Sequence, residues 1–323
     1  MESLPKDPFL EFNPDTLQAV REEFNLYQPG AMEEVIEHFQ EWIDKQNHFV
    51  KKDFCKYLIS ISPDAKHFLE VSIVLAKGSL ERAKKNLDKL CTLKTLIPKF
   101  FSKHNAKNEL IDLTTLMMPA LMPKLTPDHY RLFIAKVQSS DFDSAMFFDY
   151  YRFVTLMCEY MKAHDYFQGF IAIIDVRGIN VVNYAMNLNV VDLRHLMSVL
   201  MEGYGSRIKG IHILSESKAV DTLVAVFKQI VSQKVASRIR VHKNLDSLYE
   251  QIPREILPED YGGQEKPIKD LHYDMLELLS IKENVEYFKD ICQPGTNEAY
   301  RHTATFNDEI LGMPGSFRTL KVD

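Results

Sequence analysis

Eight cations fall within residues 206–243 (Arg207, Lys209, Lys218, Lys228, Lys234, Arg238, Arg240 and Lys243), against two acids, Glu216 and Asp221. The whole chain has a formal net charge of -6, so its remainder is acidic and the charge is unevenly spread. Cations gathered on one surface dock on an anionic partner such as a phosphoinositide-bearing membrane. Each contributes about 1 kcal/mol there, so four acting together change affinity by roughly three orders of magnitude. The same residues could equally be solvated charges scattered over the surface, and spacing alone does not separate the two. Two single groups also invite chemistry. Asp175 ends the apolar run GFIAIID, where α/β enzymes often keep a catalytic carboxylate, but it more simply bonds to the turn at Arg177 and Gly178. His212 lies in an apolar run with no Ser, Cys or Asp in register, the setting of a core histidine with a satisfied hydrogen bond.

The motifs of an enzyme are missing. There is no GxSxG elbow and no GxxxxGK[ST] loop, and the GYG at Gly203 to Gly205 precedes a strand instead of following one and opening a helix. No enzyme activity and no cofactor are expected. Cys55, Cys91, Cys158 and Cys292 form no CxxC and meet no His pair at metal spacing, which argues against disulfides and zinc and fits a reducing compartment. The negative net charge disfavours nucleic acid, whose binding rests on phosphate neutralisation. The first residues include Glu2, Lys6, Asp7 and Glu11 with no apolar leader, and no run approaches the ~18 apolar residues that span a bilayer. The expected location is cytoplasmic, with any membrane contact peripheral and transient.

With 323 residues, 46% hydrophobic and 26% charged, the chain has the balance of an ordinary soluble protein and suffices for one large domain with an appended module. Apolar residues recur at helical spacing through Val35, Ile36, Phe39, Trp42 and Ile43, and again through Leu80, Ala83, Leu87 and Leu90 behind the N-cap Ser79. That predicts a helical module without strands, over residues 1–120. Pro119, Pro123 and Pro127 interrupt helical continuation and place the module boundary at 118–128. Beyond it strands at 130–137, 169–175, 208–214 and 239–242 alternate with helices at 150–163, 190–201 and 218–232. Such alternation implies crossovers and a largely parallel sheet, an α/β domain over 121–263. Residues 264–323 turn acidic, with one amphipathic stretch at 271–281, and are expected to be a wrapping tail, partly loose. The helix at 218–232 is apolar along Val220, Leu223, Val224, Phe227, Ile230 and Val231, which suits either a fixed core helix or a movable cover.

Several segments in order resemble the CRAL-TRIO lipid-binding family. ILPEDYGG (256–263) is similar to its LPxEYGG ending, GFIAIIDVRG (169–178) to its strand and turn, RIKGIHILSES (207–217) to the strand before its gate, and AKGSLERAKKNLDKL (76–90) to its N-terminal helices. GSFRTL (315–320) is similar to the tail of the tocopherol-transfer branch. Membership implies a helical bundle packed on an α/β domain that encloses one apolar pocket under a gate helix, here the one at 218–232. Carried over by position, the family's phosphoinositide-binding quartet falls on Arg207, Lys209, Lys234 and Arg238. Its pocket positions fall on Tyr151, Val154, Cys158, Ile174, Leu196, Val199, Leu200, Ile211, Ile213, Leu223 and Phe227. Three departures stand out: Ser215-Glu216-Ser217 replaces Asn-x-Pro, Lys228-Gln229 replaces the gate's Lys-Pro, and Leu75-Ala76-Lys77 replaces Leu-Arg-x-Arg-Lys. Loss of the proline restores a backbone donor, which implies a straighter gate. The resemblance implies a carrier of one hydrophobic molecule (tocopherol-, retinoid-, carotenoid- or phospholipid-like) that exchanges it at phosphoinositide-containing membranes. The rival expectation is a phosphoinositide-reading trafficking adaptor that recruits a protein partner through residues 264–323.

Overall fold

The apolar run Gly169–Asp175 becomes the middle strand of a five-stranded sheet in the computed structural model, which describes residues 3–51 and 65–301. In chain order the strands are β1 (Phe49–Val50), β2 (Met117–Leu125), β3 (Tyr130–Val137), β4 (Gly169–Asp175), β5 (Ile208–Leu214), β6 (Ile239–His242) and β7 (Gly295–Thr296). The longer helices are α1 (Thr16–Glu22), α2 (Ala31–Lys45), α3 (Ala65–Leu75), α4 (Leu80–Leu96), α5 (Ser144–His164), α6 (Val181–Asn187), α7 (Val190–Ser198), α8 (Val220–Ile230), α9 (Ile268–Leu278) and α10 (Lys282–Ile291). The sheet order is β2-β3-β4-β5-β6, antiparallel between β2 and β3 and parallel elsewhere, so the architecture is the expected mixed α/β fold.

The period of two along each strand divides the sheet into two faces. Leu132, Ile134, Ile171, Ile173 and Leu214 pack on one side with Leu248, Ile256, Tyr261 and Leu271. Phe133, Ala135, Phe170, Ala172, Ile174 and Ile211 face the other way, toward α5 and the helices that follow.

Three findings correct the expectations. The proline-bearing stretch, expected to be a module boundary, is itself part of the sheet: Met117–Leu125 is the edge strand β2, in register from Met117↔Val137 to Leu125↔Arg131 with an irregularity between Leu121 and Leu125. Pro119 and Pro123 are tolerated because an edge strand leaves one row of backbone groups without a ladder. Helix α9 covers that edge, and His272 Nδ1 donates to the Pro119 carbonyl at 2.8 Å. Helix α5 begins at Ser144 instead of residue 150, because Asp143 accepts from the amides of Ala145 and Met146 and caps it there. The helical module also contains a strand, since β1 pairs antiparallel with β7. Residues 264–301 are therefore built into the core: Lys94 Nζ donates to the Ile291 carbonyl at 2.6 Å, and Arg301 pairs with Asp88 at 2.5 Å. Residues 315–320 and Cys55 lie outside the described residues.

Arg131 ties several of these pieces together from a fully buried position. Its guanidinium donates to both carboxylate oxygens of Asp165 (2.8 and 2.6 Å) and to the carbonyls of Met122 and Pro123. Two buried histidines make the fold sensitive to acid. His67 Nε2 donates to the Asp165 carbonyl at 2.9 Å, and His212 Nδ1 lies 2.8 Å from Nε2 of His242. Burial, the larger cause in both, pulls each down to about 4; a neighbouring His242 charge adds to it at His212. Between pH 6.5 and 4 the unfolded chain binds protons that the folded protein refuses, so stability falls as pH drops through that window. Urea unfolding at pH 4.5 should show on the order of 4 kcal/mol less stability than at pH 7. A flat profile would mean that these rings are not buried neutral.

Candidate functional site

Between the sheet and the helices lies an apolar cavity whose floor is Phe133, Ala135, Phe170, Ala172, Ile174, Ile208 and Ile211. Helix α5 supplies one wall through Tyr150, Val154, Met157, Cys158 and Met161, a run at three- and four-residue spacing that puts one face of the helix inward. Leu193, Leu196 and Met197 of α7 and Leu200 just beyond it form another wall, with Phe227 of α8 and Val231 as the cover. The space open to the centre of a water-sized sphere is about 120 Å³, several times what one water needs.

Of the residues expected to line a pocket, Val154, Cys158, Ile174, Leu196, Leu200, Ile211 and Phe227 reach this wall. Tyr151, Val199, Ile213 and Leu223 do not; all four are buried in the surrounding core. Tyr151 is turned about 100° from Tyr150 around α5 and stacks on Phe100 at 5.8 Å, leaving the wall to Tyr150. Sequence reasoning missed Leu75, Lys162, Tyr204 and Ser206. For Lys162 a signal existed, since it stands four residues after Cys158 and so on the same face of α5.

Helix α8 runs unbroken through Gln229, as loss of the proline implies. Its entry is set by hydroxyls: Ser215 Oγ accepts from the amide of Ser217 (3.2 Å), and Ser217 Oγ from that of Ala219 (3.1 Å). It buries Val220 and Leu223 and packs on α6, while Val224, Val226, Phe227 and Ile230 are only half-buried. Beside it α6 and α7 expose Val182, Met186 (77% exposed) and Val191.

The four expected headgroup cations have different surroundings. Arg207 pairs with Glu23 at 3.0 Å and lies 5.2 Å from the Phe24 ring centroid. Lys209 donates to the Tyr130 hydroxyl at 3.1 Å, and Arg238 donates to the Ile208 carbonyl. Lys234 is exposed, and no acid pairs with it among the described residues. Two further cations join them from the helical module. Lys77 sits in a left-handed turn (φ 61°) before Gly78, against which Phe24 packs, the ring that Arg207 covers. Its amine is held below the usual lysine range chiefly by the charge of Lys234, then by burial, Arg207, Arg82 and Lys209. The cations thus form one field, with Lys77 and Arg82 added to the expected quartet.

Neither group that invited catalysis is free for it. Asp175 accepts from the Arg177 amide (3.1 Å), pairs with its guanidinium (2.8 Å) and accepts from the Tyr261 hydroxyl (2.8 Å). The stacked pair of His212 and His242 is internal. The Tyr261 bond joins the two segments GFIAIIDVRG and ILPEDYGG. Gly262 (φ 73°) permits the turn behind Tyr261, and at Gly263 any Cβ would fall 1.8 Å from the Leu257 carbonyl oxygen, so only glycine fits. Among the described residues no group of His, Cys, Asp or Glu could hold a metal ion, and no helix is long and apolar enough to cross a membrane.

Comparison with known proteins gives the following similarities. Residues 117–263 match the CRAL/TRIO domain model. Alpha-tocopherol transfer protein-like of Mus musculus is 28% identical over 147 residues, 45% of this chain and 39% of that protein, so the match spans about two fifths of this relative's length. Clavesin-2 of Rattus norvegicus is 27% identical over 270 residues, 81% of this chain and 76% of the relative. The solved structure of Sfh5 gives a TM-score of 0.41 at 12% identity, covering 88% of this chain and 98% of that one. The domain match begins with the first residue of β2 and ends at Gly263, and therefore takes in the whole sheet, the cavity floor and α8: this chain carries a CRAL/TRIO domain over residues 117–263.

Proposed function

We propose that this protein binds one hydrophobic small molecule in the cavity and exchanges it at phosphoinositide-bearing membranes, without covalent chemistry. The observation that carries the reading is the apolar cavity closed by α8, a helix with a half-buried apolar face. Burial alone supplies affinity, at about 25 cal/mol per Å² of apolar surface removed from water. The cations gathered from Lys77 to Arg238 suit an anionic headgroup layer, and Val182, Met186 and Val191 suit shallow insertion beside α8. The tocopherol named in one relative, with retinoids, carotenoids and phospholipids, defines the ligand pool to test.

The test is mass spectrometry of an organic extract after exposure of the purified chain to that pool. One enriched species near one per chain is expected. An empty extract with vesicle binding intact would favour an adaptor that reads phosphoinositides. Cys158→Trp places an indole in the cavity and is expected to cut ligand occupancy by an order of magnitude or more. Vesicle binding should persist in that variant, and unchanged occupancy would move the ligand elsewhere.

A further inference from the structure

The apolar wall of α5 is broken at one position, Lys162, which is buried and lines the cavity where α5 meets α3 and the loop carrying Tyr204 and Ser206. Its Nζ donates to Ser72 Oγ at 2.6 Å and lies 5.0 Å from the Phe68 ring centroid. Ser72 gives its own proton to the Phe68 carbonyl at 2.7 Å, so its oxygen serves the amine only as a neutral acceptor. The carboxylates nearby are engaged elsewhere. Glu159 pairs with Lys94 at 2.8 Å and accepts from Tyr204 at 2.8 Å, while Glu70 pairs with Arg21 at 2.7 Å and accepts from Tyr166 at 2.7 Å. Burial consequently pulls the Lys162 amine down to about 7, with the charge of Glu159 opposing it only in part. An ammonium has three protons to donate, and the hydroxyl of Ser72 answers one.

A largely apolar chamber with a single buried amine on its wall recognises a particular shape of molecule. We propose that the ligand is an amphiphile with a carboxylate head, of the long-chain fatty acid class, whose head pairs with Lys162 Nζ while its chain lies along Cys158, Val154 and the sheet floor. This rests on the carrier reading above and names the head that the cavity selects. A buried ion pair stabilises only when other hydrogen bonds complete it, and Ser72 Oγ, 2.6 Å from Nζ, holds the amine for such a pair.

The test compares oleate, methyl oleate and oleyl alcohol, labelled and retained by the full chain on gel filtration. The wild-type protein is expected to hold oleate on the order of 10- to 100-fold more tightly than the ester or the alcohol. Lys162→Met keeps the methylene volume and removes the charge, and should bring the three probes within about threefold of one another. Equal binding of all three by the wild type would overturn the inference and leave the carrier reading standing. Retention of none of them would overturn this inference, and the organic extract of the chain exposed to the mixed pool then decides the carrier reading separately. Preference for oleate that survives in Lys162→Met would place the carboxylate at another group and overturn the assignment.

Discussion

Asp165→Asn is expected to destabilise the folded protein by about 3–5 kcal/mol, the usual cost of removing one partner of a buried ion pair. Both carboxylate oxygens meet the Arg131 guanidinium, and both side chains are 0% exposed. The amide that replaces the carboxylate presents a donor where an acceptor is needed and leaves a buried cation without its counter-charge. The same guanidinium holds the carbonyls of Met122 and Pro123, so the loss should loosen edge strand β2 first. Urea unfolding at pH 7 measures the effect. An exposed pair such as Lys45 with Glu41 serves as the contrast, where Glu41→Ala should change stability by less than about 1 kcal/mol. A comparably small value for Asp165→Asn would show that the Arg131 charge is satisfied by carbonyls alone.

Joint reversal of Lys77 and Lys234 to glutamate is expected to weaken binding to vesicles containing phosphatidylinositol bisphosphate by roughly three orders of magnitude at low salt. Each reversal removes one attraction of about 1 kcal/mol and adds a repulsion of similar size, about 4 kcal/mol in all. These two cations are the informative choice because both are exposed, whereas Arg207, Lys209 and Arg238 also hold protein groups whose loss would confuse the result. Co-sedimentation measures it, and the difference should shrink as salt screens the field. Ligand occupancy should be unaffected. Vesicle binding that survives the double reversal would exclude this field from membrane contact.

Strand β4 was legible from the sequence as a short apolar run closed by turn residues, and β3, β5 and β6 as runs of β-branched and aromatic residues interspersed with cations; the helices between them fixed the parallel order. Strand β2 was hidden by its prolines, which forbid helix and central strand alike; only its place at the sheet edge makes them acceptable. The bond of Asp175 to its own turn was legible because that partner is two residues away, whereas its second partner, the Tyr261 hydroxyl, and the His242 ring beside His212 come from distant segments that the sequence did not point to. The cavity wall was only partly legible. Position along a helix fixes direction to about 100° per residue, and one residue separates Tyr150 in the wall from Tyr151 in the core. Lys162 escaped notice because a lysine on an apolar face usually carries its amine out to solvent. Here Phe68 and Ser72 of α3 close over it, and nothing local to Lys162 announces them. Lys77 and Arg82 join the cation field in the same way, from another module of the chain.

The pairing of β1 with β7 bears on the birth of the molecule. Helix α4, near the beginning of the chain, finds partners for Lys94 at Ile291 and for Asp88 and Thr92 at Arg301. A nascent chain must therefore hold its first module incomplete until residue 301 has left the ribosome. At about 5–20 residues per second that wait lasts on the order of ten seconds or more, during which the face of α4 that meets β7 stays open to chaperones. Early arrest of translation would release a sheet whose helical companion cannot finish folding.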